Sequence, residues 1–231
     1  MLIPRFVKER YLSITCDDGL INSALKVDQL LSPNHATFYI VTGWLKLNPI
    51  PILDTPKIIY KHGSLVDWQL LSKKGHEIGS HTVSHLRPNQ PINQAEYYQS
   101  FELIKKIQPG PYSLATPYGA SINIQSPYDS IRLKEKRGFL KIIIDNKLDR
   151  IDFFKIVSWD PVELKFSLSK IIRILQKIPS RRWLVLRMHG LDGEGYCPWS
   201  ATSFKQFIDS ALRSGYQIKT IAEMTKLFKK S

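Results

Sequence analysis

Residues 11–19 read YLSITCDDG, a short apolar run that ends in two adjacent carboxylates and a glycine. The run predicts a buried strand over Tyr11–Cys16, and the glycine predicts a turn directly after it. Adjacent carboxylates at a strand end repel each other, and a bound cation would relieve that repulsion. A DDG turn also occurs for structural reasons alone. For this segment by itself, both interpretations stay open.

Outward from this segment, predicted strands and helices alternate along the chain. Apolar spacing and cap residues predict helices over 20–31, 65–71, 93–107, 127–137, 168–178 and 203–213. Short apolar runs predict further strands over 36–41, 76–80, 112–116, 140–144, 154–157, 183–188 and 216–221. Repeated strand-helix units with short links predict a parallel sheet. About seven units in 231 residues indicate an α/β barrel in a single domain over residues 1–231, with reactive groups at the carboxyl ends of its strands.

Residues 76–85, HEIGSHTVSH, carry a pair of histidines. His81 and His85 are spaced so that both imidazoles share one face if the segment is helical. With one carboxylate, two neutral imidazoles make a three-ligand site for a borderline metal such as zinc and leave one coordination position open. A pair of surface or core histidines is the alternative. His62 lies outside this segment, and we expect it to be a surface or packing residue.

Two further strand ends carry groups suited to acyl chemistry. The turn Thr116–Gly119 exposes backbone N–H groups that can face a developing oxyanion, although an ordinary turn has the same sequence. His189 follows the apolar strand at 183–188 and precedes a glycine. Its ordinary pKa suits proton donation near neutral pH, but a lone histidine of this kind is often inert.

The formal net charge of +13 favours encounter with anions, among them nucleic acid, acidic membrane surfaces and phosphate-bearing sugars. The basic residues are scattered and no nucleic-acid-binding motif occurs, so we expect a solvated basic surface and no nucleic-acid partner. No signal peptide and no apolar run of about 18 residues is present. We therefore expect a cytoplasmic protein without a membrane span, for which peripheral membrane contact stays open.

Four motifs, in this order, resemble those of the polysaccharide deacetylase family, also called carbohydrate esterase family 4 or the NodB-homology domain. TCDDG at Thr15–Gly19 matches T-F-D-D-G, and HTVSH at His81–His85 matches H-[ST]-x-x-H. ATPYG at Ala115–Gly119 matches R-x-P-[YFW]-G except at its first position, and LRMHG at Leu186–Gly190 matches L-x-[LM]-H-G. The resemblance runs from about residue 11 to residue 190. It implies a distorted (β/α) barrel with fewer than eight regular units.

This resemblance implies roles for the matched residues. Asp18, His81 and His85 would hold a divalent metal, zinc in the first place and another first-row metal as the alternative. Asp17 would be the general base, and His189 would be the general acid.

It also implies a substrate pocket. The backbone N–H of Tyr118 would help to bind the oxyanion. Leu186 would line the pocket for the acetyl methyl group, and Trp159 is expected to contribute to the same pocket.

Two departures from the family pattern concern the residues that tune the base and the acid. Ala115 stands where the family has an arginine that pairs with the base, and Arg150 is the candidate to supply that charge instead. The fourth family motif, D-x-x-D-W, is blurred, so that Asp152 and Asp160 are both candidates for the carboxylate that tunes His189.

The implied activity is metal-dependent hydrolysis of an N-acetyl group on an amino-sugar-containing carbohydrate. Because no export signal is present, a cytoplasmic intermediate of surface-glycan biosynthesis is the expected substrate, and the positive charge is compatible with a phosphate-linked one. A related hydrolase of a non-sugar amide or an O-acetyl ester is an alternative. A catalytically idle glycan-binding barrel is another, supported by the missing arginine at Ala115.

Overall fold

The computed structural model describes residues 9–46, 50–51, 59–87, 93–120, 126–134 and 146–229. Their strands are β1 (Arg10–Cys16), β2 (Thr37–Ile40), β3 (Ile50–Pro51), β4 (Ile59–Tyr60), β5 (Glu77–Ser80), β6 (Ser113–Ala115), β7 (Ser130–Lys134), β8 (Ile156–Ser158), β9 (Arg182–Met188) and β10 (Gln217–Ile218). Their α-helices are α1 (Ile21–Leu31), α2 (Leu65–Lys73), α3 (Gln94–Ile104), α4 (Leu168–Lys177), α5 (Ala201–Arg213) and α6 (Ile221–Phe228). None of these helices combines the length and hydropathy needed to cross a membrane.

Parallel strands form a nearly closed barrel in the order β9, β1, β2, β5, β6, β7, β8. The ring closes just after β8, where Trp159 pairs with Leu186 of β9. There, the Trp159 N–H donates to the Val185 carbonyl at 2.8 Å and the Arg187 N–H donates to the Trp159 carbonyl at 2.7 Å. The predicted (β/α) barrel is confirmed. Because its strands are parallel, their carboxyl ends lie at one end of the barrel.

The strands β1 and β9 are buried on both faces of the sheet. β1 and β9 pair in register from Arg10 with Arg182 to Cys16 with Met188. Both strands are almost fully buried, which explains their near-continuous apolar sequences. This pair forms the central seam of the barrel, and both strands end at the motifs that the sequence singled out.

The amino-terminal end of the barrel is closed by α6. Met224 of this helix packs with Tyr39 and Trp183 in an interior apolar cluster. The buried carboxylate of Glu77 accepts hydrogen bonds from the Ala222 N–H, the Thr37 hydroxyl and the Ser113 hydroxyl. Burial raises the pKa of Glu77. This end is therefore sealed by packing and hydrogen bonds, and the open end lies opposite.

The observed secondary structure differs from the prediction at three elements. The helix predicted over 127–137 is wrong, because β7 occupies residues 130–134 and pairs with β6 and β8 on its two sides. These tertiary pairings outweigh the local helical pattern. The strand predicted at 140–144 lies outside the described residues. The last predicted strand, 216–221, is reduced to β10, and α6 was not predicted.

The closure of the amino-terminal end generates a stability prediction. Met224→Ala leaves a cavity among fully buried side chains, so we expect the free energy of unfolding to fall by about 2–5 kcal/mol. Leu227 lies on the same helix but is 57% exposed, so Leu227→Ala should change it by no more than about 0.5 kcal/mol. Urea denaturation measures both. Equal losses for the two variants would contradict the assigned packing of α6.

Candidate active site

The two carboxylates after β1 are directed to different partners. The Asp17 N–H donates to the Met188 carbonyl at 2.9 Å, which extends the β1–β9 pairing by one residue and buries Asp17. Asp18 adopts a φ of 72°, a left-handed conformation that is uncommon outside glycine. The His62 Nδ1–H donates to the Asp18 carbonyl at 2.9 Å and holds this turn. The turn separates two charges that repel each other.

His81 follows β5 with its ring orientation fixed. Its N–H donates to the Ile40 carbonyl at 2.8 Å, and its Nδ1–H donates to the Ala115 carbonyl at 2.8 Å. The second bond sets the tautomer and leaves Nε2 as the coordinating atom. Residues 82–87 form a loop, so the proposal of a shared helical face is wrong. His85 instead reaches the site with a φ of 54°.

The loop that carries His85 is held by Glu96 on α3. The Glu96 carboxylate accepts from the Val83 N–H at 3.1 Å, from the Ser84 N–H at 2.9 Å and from the Ser84 hydroxyl at 2.8 Å. The His85 N–H donates to the Thr82 Oγ1 at 3.2 Å. These bonds replace the helical hydrogen bonds that the loop lacks, and they fix the distance between the two histidines.

Asp18, His81 and His85 form a candidate cation site. The Nε2 atoms of both histidines lie 3.5 Å from the Asp18 Oδ1, and the three ligand atoms are all within 4.8 Å of one another. Burial lowers the pKa of His81 to about 3 and also lowers the pKa of His85, so both rings are neutral and able to coordinate. Among the described residues, no group donates a hydrogen bond to the buried Asp18 Oδ1. Two neutral imidazoles and one carboxylate fit a divalent cation such as zinc.

Asp17 pairs with a residue that the sequence had not indicated. The Arg132 Nη2 on β7 lies 2.6 Å from each carboxylate oxygen of Asp17, and both side chains are buried. Burial opposes ionisation of Asp17, but the Arg132 guanidinium outweighs it and holds the pKa of Asp17 well below its usual range. Arg150, the residue expected here, lies exposed on a turn. Arg132 rather than Arg150 therefore supplies the guanidinium beside Asp17.

His189 follows β9 and faces a buried carboxylate. The Asp160 Oδ2 lies 3.9 Å from the His189 Nδ1 and 3.6 Å from the Arg187 Nη2, and the same guanidinium forms an ion pair with Glu163. Burial raises the pKa of Asp160 to about 6, and burial lowers the pKa of His189. Asp152, the other candidate, lies exposed and accepts from the Phe154 N–H. Of these two candidates, Asp160 is the one that lies near His189, which also feels the negative charges of Asp18 and Asp17.

These groups surround an open cavity of about 400 Å³. Its lining residues are Asp17, Asp18, His81, His85, Thr116, Tyr118, Gly119, Arg132, Glu163, Arg187, His189 and Tyr196. Two exposed tyrosines stand at its rim. Tyr118 is 46% exposed with its ring centre 4.9 Å from that of His85, and Tyr196 is 58% exposed with its ring centre 5.4 Å from that of His189.

The expected pocket residues Leu186 and Trp159 are buried together at the closure of the barrel and are not among the described lining residues. The roles of Arg132, Arg187 and Glu163 in the cavity, and of His62 and Glu96 behind the candidate cation site, were not predicted from the sequence. Arg187 sits inside the fifth motif, which could have indicated it. The other residues can be recognised from the tertiary structure alone, because their partners are distant in sequence.

The fold and the residues of its cavity define a (β/α)-barrel protein with a candidate cation site at the carboxyl ends of its strands. A family model described as polysaccharide deacetylase matches residues 6–129, which is more than half of the 231 residues. The chain belongs to the polysaccharide deacetylase family. Membership supports a hydrolase of the deacetylase class that acts on acetylated carbohydrate.

Solved structures share the fold at low sequence identity. The peptidoglycan deacetylase PdaC from Bacillus subtilis is 18% identical with a TM-score of 0.55, covering 99% of this chain and 94% of that one. The Xyl-CE4 domain of a multidomain xylanase from the hindgut metagenome of Trinervitermes trinervoides is 16% identical with a TM-score of 0.57, covering 96% and 93%. A protein described as a CE4 family pseudoenzyme, from Bacillus anthracis, is 15% identical with a TM-score of 0.53, covering 95% and 66%. Comparison with curated protein sequences gave no significant match.

The ligand geometry generates a binding prediction. His81→Ala removes one of three donor atoms, so we expect the dissociation constant for Zn²⁺ to rise by at least about 100-fold, more than the loss of an outer-shell partner causes. His35→Ala is the matched control, because His35 packs against His76 away from the cavity. Titration of metal-stripped protein against a chromophoric chelator measures both constants. Unchanged affinity in His81→Ala would refute the assigned ligand set.

Proposed function

We propose that this chain is a metal-dependent hydrolase that removes an N-acetyl group from an amino-sugar-containing carbohydrate. One observation carries the proposal: Asp17, Asp18, His81, His85 and His189 line a single cavity, although they come from three strand ends and one loop. The set combines a candidate cation site, an ionised carboxylate and an imidazole, which are the groups that amide hydrolysis requires.

The rim of the cavity supports a carbohydrate substrate. A tyrosine offers an apolar ring face together with a hydroxyl group, and a sugar ring offers apolar C–H faces bordered by hydroxyls. Tyr118 is exposed next to His85, and Tyr196 is exposed next to His189. A sugar ring bound against them would hold its acetamido group over the floor of the cavity.

Asp17 is the proposed general base. Its low pKa keeps it ionised at neutral pH, and it lines the cavity beside the candidate cation site. A divalent cation held by Asp18, His81 and His85 would polarise the acetyl carbonyl and lower the pKa of water. Asp17 then accepts a proton from the attacking water, while the backbone N–H of Tyr118 is proposed to stabilise the oxyanion.

His189 is the proposed general acid. An amine is a poor leaving group unless it is protonated as the carbon–nitrogen bond breaks. Burial lowers the pKa of His189, so its protonated form needs a nearby negative charge. Asp18 and Asp17 raise the pKa of His189, and we propose that Asp160 adds to this effect when it is ionised, at 3.9 Å from the His189 Nδ1.

The same groups can hydrolyse an O-acetyl ester or a non-sugar amide, because these reactions differ in the leaving group alone. The exposed tyrosines at the rim favour a sugar. The expected cytoplasmic location, the phosphate-linked substrate and the choice of zinc stay predictions. Acetate release from matched N-acetyl and O-acetyl sugars would rank the two acyl linkages.

Replacement of the proposed base tests the mechanism. Asp17→Asn cannot accept the proton from water, so we expect kcat for acetate release from N-acetylglucosamine oligomers to fall by about 10²–10⁴-fold. Asp152→Asn, on an exposed turn, is the control and should keep wild-type activity. Enzymatic detection of acetate measures both. Retained activity in Asp17→Asn would remove Asp17 from the mechanism.

The Asp160–His189 pair generates a pH prediction. Above a pH of about 6 Asp160 is ionised and stabilises the protonated form of His189. Asp160→Asn removes that charge and lowers the pKa of His189. The alkaline limb of the kcat/KM profile should therefore move to lower pH, by about 1 unit. A profile with an unmoved alkaline limb would show that Asp160 does not tune the acid.

A further inference from the structure

Arg132 and Ala115 are register partners on neighbouring parallel strands. Ala115 of β6 pairs with Arg132 of β7, so their side chains leave the sheet on the same face. Ala115 and Tyr39 belong to the same interior apolar cluster, and the Arg132 guanidinium lies 5.0 Å from the centre of the Tyr39 ring. Both positions therefore open into the same interior space next to Asp17.

The guanidinium of Arg132 is fixed independently of its carboxylate partner. The Ser158 hydroxyl donates to the Leu133 carbonyl at 2.8 Å, which leaves its oxygen to accept from the Arg132 Nη1 at 2.8 Å. The Tyr39 ring covers one side of the guanidinium. A group held from several sides orients the carboxylate beside it before any ligand binds.

This space can accommodate one guanidinium with a carboxylate partner, but a second guanidinium would have no partner. Both oxygens of Asp17 already face the Arg132 Nη2 at 2.6 Å. A second arginine at position 115 would bring another buried cation to the same carboxylate, and a buried cation without its own partner is strongly destabilising. The small side chain of Ala115 is therefore the condition under which Arg132 reaches Asp17.

We propose that Arg132 is the residue that positions Asp17, and that positions 115 and 132 form an exchanged pair in which one arginine excludes the other. The guanidinium that positions Asp17 thus comes from β7. The third motif, where Ala115 replaces the arginine of the family pattern, lies on the neighbouring strand β6. The inference rests on the proposed function in one respect, namely that Asp17 is the base. The pairing itself stands on geometry.

The test is a double-mutant cycle that compares the wild type with three variants. Arg132→Ala should lower kcat for deacetylation of N-acetylglucosamine oligomers by at least about 100-fold with a small change in KM, because the base is misplaced and the rim is intact. Ala115→Arg alone should also lose activity and thermal stability. The double variant Ala115→Arg/Arg132→Ala should recover at least about 10-fold of the activity lost in Arg132→Ala and melt at a higher temperature than Ala115→Arg.

Arg150→Ala is the matched control and should behave as wild type, since Arg150 lies exposed on a turn. Methylguanidinium at millimolar concentration should restore part of the activity of Arg132→Ala, whereas methylammonium should restore less, because a single ammonium lacks the planar set of donors. If the double variant does not fold, this rescue tests the positioning role of Arg132, and the melting temperature of Ala115→Arg relative to the wild type tests whether a second arginine is excluded. Wild-type kcat in Arg132→Ala, or no gain in both the double variant and the rescue, would overturn the proposal.

Failure of the proposed function would look different. In that case the wild type releases no acetate from N-acetyl or O-acetyl sugars. The melting temperatures of the wild type and the three variants of the cycle still report whether positions 115 and 132 are coupled. Additive melting shifts would then overturn the exchanged pair as well, whereas a double variant more stable than Ala115→Arg would support it.

Discussion

Two adjacent carboxylates at the end of β1, of which Asp17 is buried and Asp18 is partly buried, set the main electrostatic constraint of this molecule. Two anions so close together and shielded from water require positive partners. The left-handed turn at Asp18 sends them in different directions. Asp17 meets the Arg132 guanidinium, and Asp18 meets two neutral imidazoles. The charge of Asp17 is balanced by Arg132 within the protein. Asp18, His81 and His85 instead offer donor atoms suited to a cation, and the two neutral imidazoles do not balance the charge of Asp18.

The barrel meets this constraint by bringing strand ends together. Asp17, His81 and His189 follow β1, β5 and β9, and their side chains gather because the strands are parallel and nearly closed into a ring. The opposite end carries Glu77 and α6, which contribute hydrogen bonds and packing. Packing and hydrogen bonds thus close one end of the barrel, and the reactive groups lie at the other, as is usual for (β/α) barrels.

The fold alone does not decide whether this family member is active. Structures at 15–18% identity share it, and one of them is described as a pseudoenzyme. The matched family model ends at residue 129, before Arg132 and His189. The missing arginine at Ala115 was the argument for an idle barrel. The Arg132–Asp17 pair weakens that argument, because the same carboxylate has a guanidinium from another strand.

The sequence by itself determined most of the alternation of strands and helices, the two apolar strands β1 and β9, and the motif residues Asp17, Asp18, His81, His85 and His189. These follow from local patterns of apolar residues and from short motifs, which persist without knowledge of distant contacts. The tertiary structure alone decided that residues 130–134 form a strand, that His85 arrives on a loop held by Glu96, and that Arg132 rather than Arg150 pairs with Asp17. Arg132 and Asp17 are 115 positions apart, and strand register brings them together. No local pattern encodes such a register, because it depends on how the whole ring closes.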